Sequence, residues 1–350
     1  LFEQWKLAGL LTAEKVWQRM LLVYPQSKSV NLLNHLSELL TGSAYSSKGA
    51  VLVQLFLQPE QITTVLPQGR DADTRAMATM TLQRVAATEP SLARSLLVEA
   101  RQRYGLQEEE VVRVEGSIAR KFMLERTASE RPWIDKALQR QHEPALMELR
   151  LRMALWESDW QGVKLWVQKI PDSARSDVRW TYWLARAEEA QGRYPHAKAL
   201  YRQASYERSF YGFMAADRVG APIPLNRTPL KSSITVSQAM KKWPAVARVK
   251  ELLALGERDQ ARGEWNYLMS QVEYNDKLQL GGVALKSHWY DLAVLSSISA
   301  KAWDVLDLRF PTPIPSTFSR YAKTRAVETS LLYALARQES ALYPYAQSPV

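Results

Sequence analysis

The chain has 350 residues, is 46% hydrophobic and carries 46 Lys and Arg against 36 Asp and Glu, for a formal net charge of +10 with no cysteine. That length exceeds one ordinary core and predicts two or more domains. The empty thiol inventory excludes disulfides and thiol-ligated metal, and no apolar run reaches membrane-spanning length. The basic balance is dispersed: Glu108, Glu109 and Glu110 alternate with Arg113, Arg120 and Lys121, the pattern of solvated helix faces. Nucleic acid and other anionic polymers both suit such a charge. No dense Lys/Arg run, DNA-reading helix pair or zinc-finger spacing favours the first. The opening Leu1-Phe2-Glu3-Gln4-Trp5 has neither a starting Met nor a charged-then-apolar leader, and it reads as the inside of a longer chain.

Glycine is scarce, at 14 residues, and apolar residues recur at spacings of three and four, which predicts helices nearly throughout. Breakers at Pro25, at 71–73, at Glu89-Pro90-Ser91, at Gly105, at 127–132, at Pro171 and at Gly192 divide the first two hundred residues. Residues 50–57, Ala-Val-Leu-Val-Gln-Leu-Phe-Leu, suit a strand by composition, although the helical surroundings favour a buried helix. Ser91 and Gly105 are the expected N-cap and terminating glycine of one helix.

A degenerate repeat follows. Ser158, Gly192, Gly256 and His288 are each followed five residues later by a small or β-branched residue: Val163, Ala197, Ala261 and Ala293. The separations of roughly 34, 64 and 32 predict stacked helix pairs of tetratricopeptide-like period with one unit skipped. Pro222, Pro224 and Pro229 fall in that gap and mark a boundary, and Pro311, Pro313 and Pro315 mark another. The expected fold is all-α: a curved or ring-like superhelical solenoid of helix pairs over 1–221, a connector and small helical linker domain over 222–309, and a further unit from 310 to 350.

The candidate chemistry is concentrated near residue 339. Histidines 35, 142, 196 and 288 never fall at ligand spacing, so no metal site is expected. No Gly-rich phosphate loop or nucleophile elbow occurs. Asn226-Arg227-Thr228 matches a glycosylation sequon but reads as plain loop. Trp156, Trp160, Trp166, Trp180 and Trp183 stand at helical spacing, which favours packing between helices, although an exposed minority could line a glycan path. Stepping back by four from Glu339 gives Leu335, Leu331 and Val327. An acid on an apolar stripe is expected to be buried with its proton retained, as acid-catalysed glycoside cleavage requires. The alternative is an ordinary helix-end acid that points into water.

Arg337-Gln338-Glu339-Ser340-Ala341, then Pro344, then Ser348-Pro349-Val350, resembles the start of the catalytic motif of lytic murein transglycosylases. Residues 179–183 (Arg-Trp-Thr-Tyr-Trp), 247–252 (Ala-Arg-Val-Lys-Glu-Leu) and 289–293 (Trp-Tyr-Asp-Leu-Ala) resemble the large soluble periplasmic members. The likeness is clear from about residue 145 onward and fainter before it. It implies a superhelical arm, a linker domain and, over 310–350, the start of a lysozyme-like catalytic domain whose Gly-Leu-Met-Gln segment is not in this sequence. It further implies peptidoglycan glycan strands as substrate, periplasmic location, no cofactor and other cell-wall enzymes as conceivable partners. By the resemblance, Glu339 protonates the bridging oxygen between N-acetylmuramic acid and N-acetylglucosamine. As a carboxylate it then takes the proton of the muramic C6 hydroxyl, which closes a 1,6-anhydro ring without water. Ser348 and Ser340 match positions beside the acid, Ser348 for substrate contact and Ser340 more for supporting the helix end. The competing class is a non-enzymatic helical-repeat scaffold that binds proteins.

Overall fold

A computed structural model describes residues 11–348. Among them there is no strand, and the chain divides into two compact units that meet at Pro222 and Ile223. The strongest helix contacts join near neighbours in sequence, as in a solenoid of helix pairs.

In the first unit, Ser46–Leu57 is helical and buries Leu52, Leu55 and Phe56, which resolves the ambiguous apolar run as a helix. Helix Ala72–Thr88 starts at Asp71, whose carboxylate accepts the Thr74 amide at 3.2 Å and its hydroxyl at 2.5 Å. The cap expected at Ser91 is not there. Helix Pro90–Tyr104 begins two residues earlier than that cap implies, because proline suits a first-turn position that needs no amide donor, and Ser91 is already helical. Gly105 does end that helix, at φ 65°.

The repeat has a single physical origin. Four hairpins, Pro144–Trp156 with Trp160–Lys169, Val178–Ala190 with Tyr194–Ala204, Pro244–Ala254 with Arg258–Gln271, and Tyr274–Lys286 with Tyr290–Ser299, each turn through three residues. The central residues are the four sequence anchors, all left-handed: Ser158 at φ 56°, Gly192 at 76°, Gly256 at 84° and His288 at 61°. In each turn the following amide bonds back five residues, as in Asp159 N–H to the Ala154 carbonyl and Trp289 N–H to that of Ala284, both at 2.9 Å. This is the Schellman closure of a helix C-terminus. Val163, Ala197, Ala261 and Ala293, one turn into the second helix, are buried to 2% exposure or less. Small side chains there let the paired helices approach.

The second unit has its own core, around Trp265, Leu280, Val283, Leu292 and Leu308. Trp265 satisfies its indole N–H on Ser296 Oγ at 3.0 Å. A Cβ on Gly281 would meet Leu308 at 2.8 Å and Ser296 at 3.0 Å, so the close approach of these segments requires glycine there. The stretch 227–233 is pinned to the same unit: Thr228 N–H donates to the Asp304 carbonyl at 2.7 Å, and Ser232 Oγ to that of Gln279 at 3.2 Å.

Candidate active site

The site is built on the last two described helices, Pro315–Thr324 and Thr329–Ser340. Phe318 and Tyr333 stack at 4.0 Å with planes 12° apart, which joins the two helices. Tyr333 then donates its hydroxyl to the Pro313 carbonyl at 2.8 Å, and one turn later Arg337 Nε donates to the Arg309 carbonyl at 2.9 Å. Burial holds the Arg337 guanidinium below its usual range. Tyr333 and Arg337 thus fix which face of the helix meets the rest of the unit.

That choice overturns the expectation of a buried Glu339. Tyr333 and Arg337 follow Leu331 and Leu335 by two residues, about 200° around a helix. The predicted stripe therefore faces away: Val327 is 36% exposed, Leu331 49% and Leu335 50%. Glu339 is exposed with it, and no hydrogen bond or ion pair joins its carboxylate to another described residue. Val327 lies in the turn before the helix, so the period of four holds on the helix for Leu331, Leu335 and Glu339 alone. The aromatic stack and the half-buried guanidinium outcompeted these aliphatics for the packed face.

Ser340 is half-buried and donates its Oγ back to the Ala336 carbonyl at 3.3 Å, while the backbone amides of Ala341 and Leu342 close the helix end on Arg337 and Ala336. Ala341 and Leu342 are both left-handed, at φ 54° and 66°, and turn the chain sharply after the helix. Ser348 is exposed, and Pro349 and Val350 of the motif lie outside the described residues. The turn is fastened by contacts that no local pattern announced. Tyr343 donates its hydroxyl to Asp259 at 2.5 Å, which raises its pKa, and Arg262 lies 4.9 Å from its ring. Arg258 lies 4.7 Å from the Tyr345 ring. These partners are some eighty residues apart in sequence, beyond the reach of periodicity arguments.

The last turn before Ala341 borders two clefts. Ala336 and Ser340 line one of about 500 Å³; Ala334, Arg337 and Gln338 line the other, of about 550 Å³. Among the described residues no group of three His, Asp or Glu could hold a metal ion, and no helix is long and apolar enough to cross a membrane. Of the five repeat tryptophans, Trp166 and Trp180 are buried and Trp160 and Trp183 half-buried, whereas Trp156 is exposed beneath the Arg126 guanidinium, 3.6 Å from its ring.

Residues 239–306 match the family model of the soluble lytic murein transglycosylase L domain, so the fold and site define an all-α helix-pair protein that carries this domain. The chain is 31% identical over 308 residues, 87% of its length and 47% of the relative's, to the soluble lytic murein transglycosylase of Escherichia coli (strain K12). It is 33% identical over 278 residues, 79% of its length and 43% of the relative's, to that of Salmonella typhimurium. Among solved structures, the 70-kDa soluble lytic transglycosylase of E. coli superposes with a TM-score of 0.90 at 29% identity, over 100% of this chain and 56% of that one. Slt of Pseudomonas aeruginosa, solved as an inactive glutamate-to-glutamine mutant, superposes with a TM-score of 0.84 at 29% identity, over 99% of this chain and 56% of that one. The chain is thus homologous to the soluble lytic murein transglycosylases, and it spans about half the length of the curated relatives it matches.

Proposed function

We propose that the chain is the helical and linker portion of a periplasmic peptidoglycan lytic transglycosylase, in which residues 310–350 begin a lysozyme-like catalytic domain and Glu339 is its acid. The observation that carries this reading is the homology over 87% of the chain, together with the match of residues 239–306 to the L domain. The geometry is compatible with it. Glu339 stands unpaired at the last turn of its helix, between residues that line two clefts. Val327, Leu331 and Leu335 expose an apolar stripe that leads to it. Further chain laid on that stripe would exclude water around Glu339, the setting acid catalysis requires. Glu339 would then protonate the glycosidic oxygen between N-acetylmuramic acid and N-acetylglucosamine, and the substrate's N-acetyl group would stabilise the cationic sugar. The same carboxylate would next accept the proton of the C6 hydroxyl as its oxygen bonds to C1 in a 1,6-anhydro ring. Ser340 supports the helix end and Ser348 is assigned to substrate contact; peptidoglycan strands are the partner.

The test is mass spectrometry of purified peptidoglycan digested by a protein of the relatives' full length that contains this chain. Anhydro-muropeptides are the expected product. Products heavier by one water would refute the mechanism, and intact peptidoglycan would favour a helical-repeat scaffold.

A further inference from the structure

The 500 Å³ cleft beside Ser340 has a chemistry of its own. Its size falls in the range of small-molecule sites. Its walls are largely rings and aliphatic groups, among them Trp289, Tyr290, Phe318 and Tyr343. The polar lining is sparse and mostly engaged. Asp291 pairs with Arg262 at 3.3 Å, Ser340 is bonded to Ala336, and His288 Nδ1 is 2.8 Å from the Tyr290 hydroxyl. Arg258 is the exception: among the described residues it forms no ion pair, and it only lies against the Tyr345 ring. Its sequence neighbours do not neutralise it. Asp259 accepts the Tyr343 hydroxyl, and Glu257, in the turn before the helix, forms no ion pair with Arg258 among the described residues.

A sugar would need many hydrogen-bonding partners, which this lining does not provide. An apolar body with one carboxylate suits it: rings enclose the body and the guanidinium takes the acid in paired hydrogen bonds. Two wall residues hold left-handed backbone, Ile314 at φ 39° and Leu342 at 66°. For a β-branched residue that is an outlier of the kind found at ligand clamps. We infer that this cleft is a binding site for a small apolar carboxylate, either a free acid or the C-terminus of a peptide that ends in a large apolar residue. The site does not depend on Glu339 or on glycan cleavage.

The experiment titrates the 350-residue chain with N-acetyl-L-phenylalanine, its neutral amide, a tetrapeptide acid ending in phenylalanine, and tri-N-acetylchitotriose. Tryptophan fluorescence, to which Trp289 contributes from the cleft wall, and ligand-observed NMR provide the readouts. At least one acid should bind saturably, with its amide at least about tenfold weaker, as expected for a charge-assisted contact. Arg258→Gln should bring the acid down to the level of the amide and leave amide binding and the thermal midpoint unchanged. Binding by the free acid alone marks a small-molecule site, and binding by the tetrapeptide marks a chain-end site. Equal affinity for acid and amide in the unsubstituted protein, or preference for the chitotriose, would overturn the assignment without touching the glycan-cleavage reading.

Discussion

Glu339 and Glu188 show how placement sets what a single carboxylate does. Glu339 is exposed and unpaired, so Glu339→Gln removes a transferable proton and no packing. In a protein of the relatives' full length we expect turnover to fall by about 10² to 10⁴, with the thermal midpoint unchanged. Turnover within about tenfold of the parent would end the catalytic assignment. Glu188 is the reverse case. Its side chain is 4% exposed, hydrogen-bonded to Arg193 and 2.6 Å from Lys164. The Arg193 bond, followed by that to Lys164, lowers its pKa to about 2 against the burial that opposes it. A folded-state pKa below the unfolded one means that the unfolded chain binds more protons, so stability is full above the unfolded value and lost as pH falls toward 2. Glu188→Ala should destabilise the first unit by about 3 kcal/mol at pH 7, because two cations lose their buried partner. Urea titrations of both forms should show that difference shrinking between pH 5 and pH 2.5. A difference independent of pH would mean that packing, not charge, explains the loss.

At the scale of the element, the three-residue hairpin turn organises the molecule, and it allows a clean comparison. Nothing lies within 4 Å of a Cβ placed on Gly192 or Gly256, so an alanine there meets only the strain of a left-handed backbone. Gly192→Ala should cost about 1 kcal/mol and Ser158→Gly should recover a similar amount, since a non-glycine residue carries that penalty at φ 56°. Calorimetry of both variants tests the pair, and shifts of the same sign would show that φ is not what these turns select. The turns were legible in the sequence because local backbone chemistry makes them: an anchor and a small residue five positions on suffice. The helix end at Gly105 was legible for the same reason, whereas the cap expected at Ser91 gave way to a start at Pro90. The rotation of the Glu339 helix was not. Period-four patterning identified an apolar stripe, but the packed face was decided by Tyr333 and Arg337 reaching Pro313 and Arg309, more than a turn outside the helix. Likewise Tyr343 meets Asp259 across 84 positions. The candidate acid could be picked from its motif, whereas its surroundings depend on tertiary choices that no local spacing encodes.

The whole molecule divides where helix gives way to the extended stretch after Val219, and each unit has a core of its own. Residues 223–350 expressed alone should therefore unfold cooperatively with helical circular dichroism. A version starting at residue 236 loses the bonds from Thr228 and Ser232 and should be less stable by at least about 1 kcal/mol. Equal stability of the two would make the stretch a mere tether. Because Glu339 stands in solvent without a partner, residues 1–350 by themselves should leave purified peptidoglycan uncut. Anhydro-products from this chain alone would show that the described surface already forms a working site.

The exposed Leu331 and Leu335, one turn apart on their helix, have a consequence for how the protein behaves in a tube. Aliphatic surface aligned along a helix in water is adhesive, and two copies can cover each other's. Sedimentation of the 350-residue chain should show an average mass that climbs with concentration, and a trace of mild detergent should reverse the climb. Replacing Leu331 and Leu335 with glutamate should hold the chain monomeric at all concentrations and leave its helix content intact, since neither side chain is buried in the fold.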